Sequence, residues 1–112
     1  MERLAAEVKR RNSRTIVHVD AVQAWMRVPI KLDNIDTMTV SGHKIHAPKG
    51  IGALYVKDGV MVRPFLYGGK QERGIKPGTE NVPWLVPLGM PLTSCFRAFE
   101  RISSMFRVYR TI

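Results

Sequence analysis

Apolar positions recur in two rhythms along the chain. In "ERLAAEVKRR" (2–11), Leu4, Ala5 and Val8 fall on one face at i, i+1 and i+4, and the basic end suits a helix C-terminus. This predicts a helix that Asn12 and Ser13 bring to an end. "TIVHVDAV" (15–22) is β-branched and mostly apolar, the pattern of a buried strand. "RVPIKLDNID" (27–36) reads as a connection, because Pro29 disfavours a helix. "TMTVSG" (37–42) predicts a second buried strand, and "GIGALYVKDG" (50–59) a third that ends at the turn signal Asp58-Gly59. "VMVRPFL" (60–66) follows so closely that it is expected to form a hairpin with the third strand.

Residues 67–81, "YGGKQERGIKPGTEN", are polar and glycine-rich, as expected of a surface segment. Beyond Pro91, Phe96, Phe99, Ile102 and Phe106 fall at helical spacing, with Arg97, Arg101, Arg107 and Arg110 on the rest of that helix. No internal repeat or linker divides the chain. One helix, two parallel-type strands and a hairpin make a piece of an α/β sheet. Strands buried on both faces need helices on both sides, and little helix lies between these two. The pattern is that of part of a larger fold.

Composition narrows this picture. The chain has 112 residues, 45% hydrophobic and 24% charged, which fits one small globular domain. No apolar run reaches the length of a membrane span, and "MERLAAEVKRRN" lacks the apolar core of a secretory signal. Glu2 and Glu7 argue against a transit peptide, so a cytoplasmic protein without a membrane partner is expected. Cys95 stands alone and forms no internal disulfide, which suits a reducing compartment. The formal charge is +9, but the bases are scattered without a basic tail. A generally basic surface is favoured over a nucleic-acid partner.

Several chemistries fit the residues poorly. His43, His46 and His18 lack the cysteine-rich fourfold set of a structural zinc site. Ser41 lacks the G-x-S-x-G elbow of a hydrolase, and "GGKQERGIKPGT" does not meet the G-x-x-x-x-G-K-[ST] pattern of a nucleotide-binding loop. A lysine site fits better. Asp20 ends one apolar strand and Lys44 lies just beyond another. Ends of adjacent parallel strands share the sheet edge where α/β proteins bind ligands. Pyridoxal phosphate requires a lysine for its Schiff base and an acid to keep its pyridine nitrogen protonated. Gln23 could donate to the ring oxygen, and Ser41 and His43 could bind the phosphate. The residues alone equally allow an Asp20–Lys44 salt bridge, or two unpaired groups.

"HVDAVQA", "SGHKIHAPKGIGALYV" and "GGKQERGIKPGTEN" occur in this order across roughly residues 15–89. Together they resemble the cysteine desulfurases of the class V aminotransferase group, most closely the nitrogen-fixation type. The resemblance implies an aspartate-aminotransferase-like fold of type I, of which this chain would be part of the large domain. It implies a pyridoxal 5'-phosphate enzyme, working as a homodimer, that converts L-cysteine to L-alanine. The sulfur, first bound on the enzyme, would pass to an iron–sulfur scaffold protein. It makes Lys44 the Schiff-base lysine, Asp20 the partner of the pyridine nitrogen and Gln23 that of the phenolic oxygen. Ser41 and His43 would hold the phosphate, and Thr79 would reach the phosphate in the neighbouring subunit's site. A related class V lyase or transaminase, or a basic remnant binding a partner or RNA, are the rival readings.

Departures from the family pattern bound the expectation. Met26 stands where glycine is usual, and Lys76 replaces an arginine, losing planar bidentate donation. The family's upstream phosphate loop and ring-stacking histidine have no counterpart here, nor have the downstream small domain, the carboxylate-binding arginine and the cysteine loop. Cys95 in "LTSCFRAF" does not match that loop. Residues 1–89 therefore read as a central fragment, incomplete and inactive by itself, and 90–112 as a divergent helical tail. A truncated gene, a frameshifted tail or a shortened sequence would each produce this pattern.

Overall fold

The helical rhythm at the N-terminus is realised in the computed structural model as α1 (Glu2–Arg11). The structure describes residues 1–79, 81 and, as backbone, 106–107. The apolar face expected of α1 is only partly used: Ala5 is buried, but Leu4 is 70% exposed. Glu7 pairs with Arg10 and Arg11 at 2.7 and 2.8 Å, exposed contacts that contribute little to stability.

The strands are β1 (His18–Asp20), β2 (Thr37–Ser41), β3 (Gly52–Val56) and β4 (Phe106–Arg107), in spatial order β1-β2-β3-β4. β1 and β2 are parallel as expected, while β3 runs antiparallel to β2 and to β4. β1 is shorter than its apolar run because the lead-in is uncovered, with Ile16 58% exposed.

The expected hairpin between β3 and residues 60–66 does not form, and the two sides of β3 are occupied by β2 and β4. Gly59, at φ 84°, makes the turn, with Val60 N–H donating to the Lys57 carbonyl at 3.1 Å. Pro64 then removes a backbone donor from the following run, and Met61 and Phe65 stay 92% exposed. The helix expected after Pro91 falls outside the described residues except at Phe106–Arg107, which are strand.

Strand alternation separates the two faces of the sheet. Val19, Met38 and Tyr55 stand opposite one another across three strands, as do Val40 and Ala53 across two. With Ala21 and Ile35 they form the main buried cluster. Met38 and Ile35, at 0% and 1% exposure, are its most enclosed large side chains. Asp20, Thr39 and Ser41 alternate to the other face.

Asp36, 5% exposed, binds these pieces together. Its carboxylate accepts the Val17 N–H at 2.7 Å and pairs with the Lys9 ammonium at 2.5 Å. Its own N–H donates to the Val17 carbonyl at 3.0 Å, and its carbonyl accepts the Lys57 N–H at 2.8 Å. Burial pushes the carboxyl's pKa up, but the hydrogen bonds from Lys9 and Val17 and the charges of Lys9 and Lys57 outweigh it. The net shift is downward.

Between β1 and β2 the chain coils once. Trp25 N–H donates to the Ala21 carbonyl at 2.8 Å, and Val28 N–H to the Ala24 carbonyl at 3.1 Å. The coil passes through Met26 at φ 61°, a left-handed backbone that costs a residue with a Cβ about 1–2 kcal/mol.

Two stability measurements follow. Asp36→Asn leaves Lys9 without its charge partner and is expected to cost about 2 kcal/mol in urea unfolding. Because the folded pKa of Asp36 is depressed, its contribution is complete above the ordinary carboxylate value. It is lost as pH falls through the folded value, so the parent loses stability on acidification more steeply than Asp36→Asn. Met26→Gly is expected to stabilise by about 1 kcal/mol in thermal melts, whereas Met26→Ala, which keeps the Cβ, gives no such gain.

Candidate functional site

Because β1 and β2 are parallel, their C-terminal ends emerge at one edge of the sheet. Asp20 is the last residue of β1 and pairs with Thr39, so Ser41, two residues on, ends β2 on the same face. The sequence folds locally to hold each group. Ala21 N–H donates to the Thr39 carbonyl at 2.9 Å, which continues the strand pairing one residue past Asp20. The Asp20 Oδ1 accepts the Val22 N–H at 3.0 Å, an Asx turn that starts the coil carrying Gln23. Asp20 and Gln23 are both exposed.

Beyond Ser41 the chain enters a single 3-10 turn, Gly42–Ile45, which carries His43 and Lys44. Gly42 N–H donates to the Ile51 carbonyl at 2.8 Å, closing the base of the loop beside β3. The turn ends at His46, whose φ of 66° reverses the chain, and Ala47 N–H returns to the Gly42 carbonyl at 3.0 Å. Ile45, Ala47 and Ile51 form a second buried cluster around this loop. Ser41 Oγ and His43 Nδ1 lie 2.9 Å apart in a direct hydrogen bond.

Lys44 is half-buried and Asp20 exposed, and they form no ion pair with each other. Of the arrangements the sequence left open, the direct Asp20–Lys44 salt bridge is not formed here. Four predicted residues, Asp20, Ser41, His43 and Lys44, meet at one sheet edge, and Gln23 lies on the coil leaving it. Thr79 belongs to none of these elements; it is exposed, on the segment past the short turn Glu72–Gly74. Cys95 is outside the described residues.

This donor set matches the needs of pyridoxal phosphate. It offers a carboxylate for a ring nitrogen, a hydroxyl–imidazole pair for a phosphate and a primary amine for an aldehyde carbon. Two residues matter more than the sequence indicated. His46, weighed above only as a zinc ligand, makes the backbone reversal that ends the lysine turn. Trp25, which no sequence motif singles out, touches both buried clusters. The usual glycine at position 26 was the available signal for a positive φ there.

Comparison with known proteins gives the family. The chain is 58% identical over 91 residues to a cysteine desulfurase of Nostoc sp., a match covering 80% of this chain and 22% of that protein. A cysteine desulfurase of Rhodobacter capsulatus is 56% identical over 77 residues, covering 67% of this chain and 20% of its relative. The chain thus spans about a fifth of the length of these curated relatives.

Among solved structures, a NifS-like protein superposes with a TM-score of 0.76 at 39% identity, covering 88% of this chain and 27% of its own. DndA from Streptomyces lividans gives 0.71 at 40% identity, over 87% of this chain and 28% of its own. SspA, solved in complex with cysteine, gives 0.70 at 38% identity, over 78% and 26%. The mixed sheet is accordingly a part of the type I fold expected from the sequence. The class-V aminotransferase family profile matches residues 1–100, and the chain belongs to that family.

Proposed function

We propose that this chain carries the lysine side of a pyridoxal-phosphate site for a cysteine desulfurase, which takes L-cysteine to L-alanine and retains the sulfur on the enzyme. The observation that supports it most is the convergence of Asp20, Ser41, His43 and Lys44 at one parallel-strand edge, with Asp20 and Lys44 not paired to each other. The similarity to cysteine desulfurases, and to a protein solved with cysteine, supports that substrate.

Pyridoxal phosphate, when bound, supplies an electron sink for the pair left on the substrate's α carbon. The residues divide the remaining work. The Asp20 carboxylate would accept a hydrogen bond from the pyridinium N–H and so keep that proton in place. Gln23 donates to the phenolic oxygen. Ser41 and His43, bonded to each other at 2.9 Å, would hold the phosphate. The Lys44 amine would hold the cofactor and, once released from it, would be the base for the substrate's α-carbon proton and the acid for its β carbon as the bond to sulfur breaks. Its place in a short turn with a buried underside limits how far it moves between the two.

Thr79 serves the phosphate of the neighbouring subunit in a homodimer. The sulfur passes to a scaffold protein for iron–sulfur clusters in the cytoplasm. Cys95 does not match the family's sulfur-accepting loop, so the acceptor thiol would come from outside the matched residues.

The test is to add pyridoxal phosphate to the chain, follow the absorbance of the lysine-bound cofactor, reduce with borohydride and locate the adduct by mass spectrometry. The parent is expected to give the band with the adduct on Lys44, and Lys44→Ala to lose at least ten-fold of both. Asp20→Ala is expected to weaken retention about ten-fold, the size of one charge-assisted hydrogen bond. An adduct spread evenly over the chain's lysines would overturn the reading.

A further inference from the structure

The two loops that build the site leave adjacent strands, and no strand pairing joins them beyond Ser41. Register fixes Asp20 opposite Thr39, and beyond Ser41 side-chain packing is what couples the two loops. Trp25 packs against the sheet cluster, which contains Val19, Ala21 and Val40. It also packs against the lysine-loop cluster of Ile45, Ala47 and Ile51. Its backbone is fixed at the other end, since Trp25 N–H donates to the carbonyl of Ala21, fully buried and adjacent to Asp20.

We propose that Trp25 is a positioning residue for Lys44. Its indole joins the Asp20–Gln23 coil to the underside of the Gly42–Ile45 turn, so that carboxylate and amine keep a set separation. Three observations favour this. The lysine turn is one short 3-10 piece, a geometry with weak intrinsic stability. Ile45, the residue after Lys44, is 6% exposed and belongs to the cluster the indole touches. Indole is also among the largest rigid side chains, able to bury roughly 150–250 Å² and to span two clusters. The inference rests on the cofactor reading of Asp20 and Lys44, but the link itself is measurable without cofactor.

The experiment is amide hydrogen exchange on the full 112-residue chain, without cofactor, for the parent, Trp25→Ala and Trp25→Phe. Trp25→Ala is expected to speed exchange over residues 42–51 about ten-fold while 18–20 and 37–41 keep parental rates. Trp25→Phe should recover most of the protection. In parallel, pyridoxal phosphate and borohydride should place the adduct on Lys44 in the parent and shift it to other lysines in Trp25→Ala.

Unchanged exchange over 42–51 would overturn the inference, leaving the cofactor reading intact if the parent still traps at Lys44. Equal acceleration in the strands and the loop would also overturn it, since Trp25 would then serve the core as a whole. If Trp25→Ala does not fold, Trp25→Phe decides: acceleration confined to 42–51 supports the link, and none or a uniform rise rejects it. Accelerated 42–51 with no trapping at Lys44 in the parent would reject the cofactor role while leaving the mechanical link standing.

Discussion

A buried carboxylate must be paired or it destabilises the fold that encloses it. Asp36 meets that requirement with partners from separate parts of the chain. Lys9 comes from α1, Val17 from the approach to β1, and Lys57 follows β3. The same residue thus seats the helix, starts the parallel pair and ends the antiparallel one. Register is the consequence that matters for the site. With Val17 tied to Asp36 and Thr37, His18 must face Thr37 and Asp20 must face Thr39. A slip of one residue would turn Asp20 to the apolar face beside Met38.

The far end of the sheet inherits that register. Two parallel strands emptying at one edge deliver a carboxylate and a hydroxyl on one face, and the turn beyond adds imidazole and amine. Apolar positions on the opposite face, Val19, Met38, Val40 and Ala53, hold the platform that carries them. Polar chemistry and structural support are separated by the thickness of one sheet. That separation lets the polar groups vary in protonation or pairing without exposing the core.

Much of this organisation was legible in the sequence because it rests on local signals. The α1 span, the apolar runs of β1 to β3 and the closing turn at Gly59 follow from periodicity and turn chemistry. The Asp20–Lys44 edge was legible because parallel strands must end together. The partner of β3 was not, since "VMVRPFL" is an apolar run close behind β3 and only Pro64 argues against a strand there. Strand choice was decided by pairing with a distant segment, which no local pattern announces. Trp25 was missed for a related reason: its value lies in touching two clusters that meet only in three dimensions. Leu4 shows the converse, with helical periodicity present but no partner among the described residues to bury it.

The two site loops share a device that explains why the departure at position 26 is tolerable. Each leaves its strand as a short coil, and each reverses through a non-glycine residue in the left-handed region, Met26 at φ 61° and His46 at φ 66°. Such backbone persists only when its surroundings over-determine it. At His46 the closure comes from the Ala47–Gly42 hydrogen bond and the buried flanks Ile45 and Ala47. At Met26 it comes from the paired bonds to Ala21 and Ala24, with Trp25 wedged into both clusters immediately before the strained residue. At about 25 cal/mol per Å², burying about 80 Å² of the indole offsets the roughly 1–2 kcal/mol a left-handed methionine costs. The coil can therefore keep its glycine-like course without glycine, provided Trp25 stays seated. Strain and support sit on adjacent residues, and the geometry of the lysine turn depends on their balance.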